Sequence, residues 1–516
     1  MAPEKILTLN NNIKNKDIEL GLAMLKTTYI FSFFISFFSL LDPSSISAQK
    51  FTMDNAIQRL ITDSVLRSGQ VGICVMDART GEILGAHNSA MSLIPASNMK
   101  IVTTAAGLKI LGGDFTFKTE LQHDGYIKDS VLFGNIIIKG YGDPTLGSSQ
   151  MDNVLGMQPL LDSFALIIKR LGINNIQGKI IGDGTAFDKT TALPTWLWED
   201  LGNYYGAGPS GLNMNENSYE LNFAQNPNIG SPPSVTGFSP HIPDFTMYNE
   251  VNSASGGGDN SYIYSAPYAQ VGVVRGTIPA GYGLFKVSGS IPDPPYFAAW
   301  HLRRTLGEKG VAVGDSAATQ IWLEHKSVDM NPRKTFFTWQ SHRLSTIVER
   351  ANMESVNLYC ESILRAIALQ EKGIGSNAAG IEVVKKFWQS QGVTTDGMFM
   401  QDGSGLSPRN GLTPFQLANM LRIISLDNQW FMPFYQSLPE SGLTGTMKGM
   451  FKNYPFAIGK IRAKSGTITR TRAFSGYANT LDGRLIAFSI ILNNFTCSQN
   501  DIRKRLEQFM ADLVKL

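Results

Sequence analysis

The stretch PASNMKIVTTAAGLKILGG (95–113) sets the first constraint on the fold. Its small and apolar residues form a helical run that Pro95-Ala96-Ser97 opens and Gly112-Gly113 closes. Ser97 and Lys100 are three positions apart, so with Ser97 at the helix start both side chains lie on one face, one turn apart. The lysine amine can then take the serine proton, and the helix N-terminus favours the negative charge that develops. A base must be neutral. Bringing a lysine from about 10.4 to about 7 costs roughly 4–5 kcal/mol, so burial or a second cation must be at hand. The spacing SxxK is weak alone, since Ser47-Ala-Gln-Lys50 has it as well.

Two later segments complete a set. Ser355-Val356-Asn357 matches SxN inside the helical run 345–371 (STIVERANMESVNLYCESILRAIALQE), although Ser498-Gln499-Asn500 matches too. Lys464-Ser465-Gly466-Thr467 lies on the strand-like run IRAKSGTI (461–468), where Ser465-Gly466 lets a ligand backbone approach. Read singly, each fits a surface element. In order, each on the expected element, they form the S-x-x-K, S-x-N, K-[ST]-G-T triplet of penicillin-binding proteins and serine β-lactamases.

Around these motifs, VGICVM (71–76), the turn Asp77-Ala-Arg-Thr-Gly81 and Glu82-Ile-Leu-Gly-Ala read as a hairpin. From Asp114 to about Asp315 the texture changes to short strands and loops, with Gly/Ser/Pro/Asn-rich connections at 226–260. Helical periodicity returns at 345–371 and 376–392. Strands follow Lys460, and an amphipathic helix spans 498–516. The economical reading is one α/β (α+β) domain, formed by 49–109 and 327–516. It is interrupted by a β-rich insertion, 110–326, that is open to subdivision.

Composition removes other classes. With 43% apolar and 17% charged residues the chain is globular rather than disordered. Lys plus Arg number 45 against 42 acidic residues, and the longest basic block is Arg503-Lys504-Arg505, so nucleic acid is not an expected partner. Three distant cysteines (Cys74, Cys360, Cys497) make no disulfide framework and read as small buried hydrophobes. The six histidines never form HExxH or HxxEH, and neither a GxSxG elbow nor a phosphate-binding GxxxxGK[ST] loop occurs. Neither a metal nor another cofactor is expected. Lys26, the apolar run YIFSFFISFFSLL (29–41) and Ser-Ile-Ser-Ala48 read as a secretory signal peptide within 1–48, with translation from Met1 or Met24. Secretion across the inner membrane, to the periplasm or cell envelope, is expected.

From about 55 to 495 the chain resembles the class C low-molecular-mass penicillin-binding proteins, a family of serine D-Ala-D-Ala carboxypeptidases and endopeptidases. Further stretches carry the likeness: Gly140-Tyr-Gly-Asp143-Pro144-Thr145-Leu146, Asp402-Gly-Ser-Gly-Leu-Ser407, Gly445-Thr446-Met447, and Ala463-Lys464 through Ser475-Gly476-Tyr477. The family's hallmark is a long insertion between SxxK and SxN. Ser97 and Ser355 stand 258 positions apart (355 minus 97), far more than a β-lactamase needs. Three departures stand out: Val356 replaces the usual Asp of SDN, Ser465 replaces the commoner Thr, and Pro408 precedes Arg409, which weakens a substrate role for that arginine.

The resemblance implies a penicillin-binding transpeptidase-like fold and the following roles. Ser97 is the nucleophile, Lys100 its base, and Ser355 a proton relay. Asn357 orients the acyl-side amide, while Lys464, Ser465 and Thr467 bind the terminal carboxylate, with Lys464 also depressing the Lys100 pKa. The backbone N–H groups of Ser97 and Thr467 form the oxyanion hole. Asp183, in IIGDGTAFD, is matched to the inserted-domain residue that meets the substrate's diamino acid, against a turn-forming role. Peptidoglycan stem peptides and cross-links are the implied partners, with β-lactam antibiotics as covalent inhibitors. The rival readings are a non-catalytic peptidoglycan-binding protein, a β-lactamase, and a D-amino-acid amidase on the same fold.

Overall fold

A computed structural model of the chain describes residues 52–328 and 331–516, so the expected signal peptide lies outside the described residues. The central sheet has five antiparallel strands, ordered Ile461–Ile468, Thr471–Asn479, Leu485–Asn493, Gln70–Asp77 and Ile83–His87. The beginning and end of the chain are thus interleaved, with Gln70 paired to Asn493 and Asp77 to Ile486. The hairpin turn at 77–81 forms because Asp77 Oδ1 accepts from the Arg79 and Thr80 amides, and Gly81 takes φ +81°. Leu485–Asn493 is buried along almost its whole length, as its run of apolar residues, interrupted only by Ser489 before Asn493, demands of a strand covered on both faces. Pro414–Ser425 packs on one side of the sheet, and Met53–Ile61 with Gln499–Leu513 packs near its other strands.

The helix Met99–Ile110 is buried from Met99 through Leu108. A helix apolar all round belongs inside a domain, and this one packs among Leu344–Met353, Asn357–Lys372 and Asn377–Ser390. Gly107 permits the approach: a Cβ there would fall 2.6 Å from Ile363.

The middle of the chain has its own apolar cluster, built on residues such as Leu121, Ile138, Phe164, Ile180 and Phe297. It holds four sheets, of five, four, three and three strands. Three readings from the sequence change here. The middle segment contains two long helices, Met157–Arg170 and Pro294–Glu308, the second started by Asp293 capping the Tyr296 amide ahead of two prolines. The stretch 226–260 is not all connection, since it contains the strands Ser234–Ser239 and Thr246–Ala254. The strand Lys334–Arg343, beyond the expected boundary at 326, pairs with Thr116–His123 in the five-stranded sheet of the middle segment.

The expected single helix over 345–371 is two helices, Leu344–Met353 and Asn357–Lys372. Ser355 sits in the break with φ +61°, a conformation that no continuing helix accommodates. Among the described residues no helix is long and apolar enough to cross a membrane. Cys74 and Cys360 are buried free thiols, as expected; Cys497 is half-buried.

Candidate active site

Ser97 lies in the 3-10 turn Ala96–Asn98, immediately ahead of the helix Met99–Ile110. Ala96 holds φ +47° there, and two glycines press against it. A Cβ on Gly405 would fall 1.9 Å from the Ala96 carbonyl oxygen, and one on Gly466 would fall 2.6 Å from the Pro95 carbonyl oxygen. The loop 402–407 and the strand Ile461–Ile468 therefore both abut the serine turn, which is why these motifs carry glycine.

Lys100 is fully buried. Its Nζ donates to Ser97 Oγ at 3.1 Å, to Asn357 Oδ1 at 2.6 Å and to the Ser404 carbonyl at 2.7 Å. Among the described residues no carboxylate pairs with it. Burial lowers its pKa, against the opposing charges of Asp402 and Glu361.

Lys464, also fully buried, donates to Ser355 Oγ at 2.9 Å and to the Ser465 carbonyl at 2.8 Å. Burial again lowers its pKa, well below the ordinary lysine value, with the Lys100 charge as the next cause. Burial is thus the first cause of the lowering at both lysines.

Ser465 Oγ donates to Thr446 Oγ1 at 2.9 Å, within the Gly445–Met447 turn. Thr467 is exposed, and its Oγ1 accepts from Arg472 Nη1 at 2.6 Å. The hairpin register sets Thr467 directly opposite Arg472, so the tight turn after Ile468 could have revealed this arginine from sequence. Burial, and then the charge of Arg503, bring the Arg472 pKa down to about 10.

Two buried carboxylates shape the 402–407 loop. Glu361 Oε1 accepts from the Gly403 and Ser404 amides at 2.9 and 2.8 Å, which aims the Ser404 carbonyl at Lys100. Asp402 accepts from the Gly405 and Ser407 amides at 2.7 and 2.6 Å, and from the Trp196 indole at 2.9 Å. Glu361 acts through backbone groups, and no spacing pattern announces it.

Ser97, Ser355, Asn357 and Thr467 all line one cavity of about 720 Å³. Its other wall comes from the middle segment, including Glu199, Asp200, Tyr204, Tyr205 and Tyr262. Burial pushes the Asp200 carboxyl up to about 6, against a lowering hydrogen bond from Tyr205. Pro408 lines the cavity, whereas Arg409 is exposed and absent from its described lining.

Asp183 is not brought to this cavity. It is buried in the sheet of the middle segment, where its Oδ1 accepts from the Thr185 amide and hydroxyl and its Oδ2 pairs with Lys139 and Arg333. Those charges hold its carboxyl below the usual range despite the burial that raises it. With both oxygens engaged, its place is that of a structural ion pair at a turn.

Comparison with known proteins bears on the family and the fold. The model of the D-Ala-D-Ala carboxypeptidase 3 (S13) family matches residues 53–513. A D-alanyl-D-alanine carboxypeptidase of Actinomadura sp. (strain R39) is 27% identical over 452 residues, covering 85% of this chain and 80% of that protein. The D-alanyl-D-alanine carboxypeptidase DacB of Haemophilus influenzae is 24% identical over 467 residues, covering 88% and 92%. In structure, penicillin binding protein 4 (dacB) from Haemophilus influenzae is similar with a TM-score of 0.75 at 22% identity, over 90% of this chain and 98% of that one. The same protein has been solved with a bound β-lactam, at a TM-score of 0.69 and 21% identity. The fold is that of a penicillin-binding peptidase with added β-sheets, and the chain belongs to the D-Ala-D-Ala carboxypeptidase 3 (S13) family.

Proposed function

We propose that the chain is a serine D-alanyl-D-alanine carboxypeptidase and endopeptidase that acts on peptidoglycan stem peptides and cross-links through an acyl-enzyme on Ser97. One observation carries the reading. A fully buried lysine, with no carboxylate partner among the described residues, sits 3.1 Å from a serine hydroxyl that lines the cleft. That is the environment in which a lysine is neutral enough to serve as a base.

In this reading Ser97 Oγ attacks the carbonyl carbon of the D-Ala-D-X bond while its proton passes to Lys100 Nζ. The peptide C–N bond then breaks, and the proton is delivered through Ser355, held by Lys464, to the leaving amine. Water attacks the resulting ester, the acyl–oxygen bond breaks, and the Ser97 hydroxyl is restored. The amides of Ser97 and Thr467 serve as the oxyanion hole, each worth on the order of a hundredfold. Their closeness is supported by the packing of Gly466 against the Pro95 carbonyl. Asn357 orients the substrate amide, and Lys464, Ser465 and Thr467 receive its terminal carboxylate. β-Lactams trap Ser97 as a stable ester. Such a substrate lies outside the cytoplasm, in line with the export expected from 1–48.

The test is to incubate the protein from Gln49 onward with penicillin and follow intact and peptide masses. A lasting adduct on the Ser97 peptide that Ser97→Ala abolishes is the expected result. Rapid penicillin loss without adduct makes the protein a β-lactamase. A folded sample with neither adduct nor loss overturns the acyl-enzyme reading in favour of wall binding or amidase activity.

A further inference from the structure

The middle segment carries a second cavity, of about 260 Å³. Its walls are largely aromatic and include Phe245, Tyr268, Tyr296, Phe297 and Trp322. Tyr268 and Trp322 meet edge to face with centroids 5.9 Å apart, and Trp322 remains 46% exposed. Two carboxylates fix this arrangement. Asp244 Oδ2 accepts from the Tyr296 hydroxyl at 2.6 Å. Asp293 accepts from the Tyr296 amide at 3.1 Å.

The chemistry of the walls narrows the ligand. No Lys, Arg or His is among the described lining residues, so an anion finds no counter-charge. Asp244 and Asp293 each hold a hydrogen bond from the cavity's own wall, from the phenol and the amide of Tyr296. Burial also pushes the Asp293 carboxyl up to about 6. What remains is a set of flat apolar faces bordered by fixed acceptors. That pairing suits a ring with C–H groups on its faces and hydroxyls on its rim, and the volume suits one such ring.

A further depression lies beside the cavity. Ala269 lines both the cavity and this depression of about 290 Å³, which contains Trp198 and Tyr264, whose rings lie 6.4 Å apart. Their near neighbours in the chain, Leu197 and Tyr262, line the cleft that holds Ser97.

We propose that the cavity bounded by Phe245, Tyr268, Tyr296 and Trp322 is a saccharide subsite that holds a neutral N-acetylated hexose of the glycan strand whose stem peptide occupies the cleft. The identity of the sugar rests on the peptidoglycan reading, whereas the site itself rests on its own walls.

The experiment titrates the full chain with the β-1,4-linked tetramer of N-acetylglucosamine, reading tryptophan fluorescence and heat. Saturable binding is expected. Trp322→Ala weakens it about tenfold or more, and Tyr282→Ala, whose ring is 91% exposed and lines neither cavity, leaves it unchanged. Thermal melting checks each variant. Should Trp322→Ala fail to fold, Asp244→Asn at an exposed position reads the same site and is expected to weaken binding. No saturable binding, equal binding by a folded Trp322→Ala, or binding of lysine methyl ester in place of the tetramer overturns the proposal. Penicillin acylation of Ser97 in the same sample reads the peptidase proposal separately. Tetramer binding without acylation overturns only that reading and upholds the subsite, and acylation without tetramer binding does the reverse.

Discussion

Asn357 Nδ2 donates a hydrogen bond to the backbone carbonyl of Tyr205, 2.8 Å away and 152 positions earlier in the chain. This contact decides which end of the amide faces the lysine, because Oδ1 is then left to accept from Lys100 Nζ at 2.6 Å. The inserted segment therefore reaches into the catalytic group through one carbonyl. Asn357→Leu keeps the volume and removes both bonds. Penicillin acylation is expected to slow about tenfold to a hundredfold, measured as the rate of adduct formation. Asn357→Asp sets a carboxylate against Lys100, raises its pKa, and moves the pH profile of acylation upward.

Lys100→Met replaces the amine with an apolar chain of similar length in a site that is already dry. The fold is expected to survive, while acylation falls about 10²–10⁴-fold, the range for loss of a positioned base. Circular dichroism and the adduct time course measure the two separately.

Both buried lysines have lowered pKa values, chiefly through burial. The acylation rate is therefore expected to rise with pH and level off at a midpoint below 10.5, the ordinary lysine value. The stability effect has a definite sign. Between the lowered folded pKa and 10.5 the unfolded chain binds more protons than the folded one, so stability increases with pH across that window and is lost on acidification toward the folded pKa. Denaturant melts of Lys464→Met against the parent should show a shallower rise between neutral and alkaline pH.

Arg472 braces the Thr467 hydroxyl from the adjacent strand. Arg472→Ala is expected to lower kcat/KM about tenfold to a hundredfold for peptides ending in a free carboxylate, and much less for the same peptides as terminal amides. An equal loss on both would assign the arginine to strand packing alone.

Gly405 has φ +86°, and a Cβ there would meet the Ala96 carbonyl at 1.9 Å. Gly405→Ala must move the serine turn or the loop. It should lower the melting temperature and slow acylation together, whereas Gly483→Ala, at φ +90° with open space around it, should affect melting alone.

The residues whose chemistry follows from type and spacing were legible without coordinates. Ser97 with Lys100 and Lys464 with Thr467 lie on the elements their local patterns suggest, Ser355 falls in a break just ahead of the helix that Asn357 starts, and the structure gathers all six around one cleft. The supporting groups were not legible. The Ser404 and Tyr205 carbonyls belong to the backbone, so no side-chain pattern marks them, and Glu361 and Trp196 act on the 402–407 loop from distant elements. Asp183, in the short polar segment IGDG, lies in an ion pair with Lys139 and Arg333 and outside the described lining of the cleft, a placement that its segment does not announce. In the middle segment, the apolar positions of LLDSFALII do carry helical spacing, but they lie among short apolar strands that share the same residues. The break at Ser355 was hidden because the residues on both sides are good helix formers.

The interleaved sheet has a consequence for how the enzyme comes into being. Ile94 is hydrogen-bonded to Asn493, 399 positions later, and the strand Gln70–Asp77 has Ile83–His87 on one side but must wait for Leu485–Asn493 on the other. The strands of the middle segment have all their partners between 116 and 343. A growing chain can therefore complete that segment while the two halves of the catalytic sheet are still separate. Ser97 and Lys100 are made early, but they stand in an open site until the final strands are threaded beside the first. Activity is then a property of the finished polypeptide alone, and a chain cut short by even its last few dozen residues would carry Ser97 and Lys100 without the cleft.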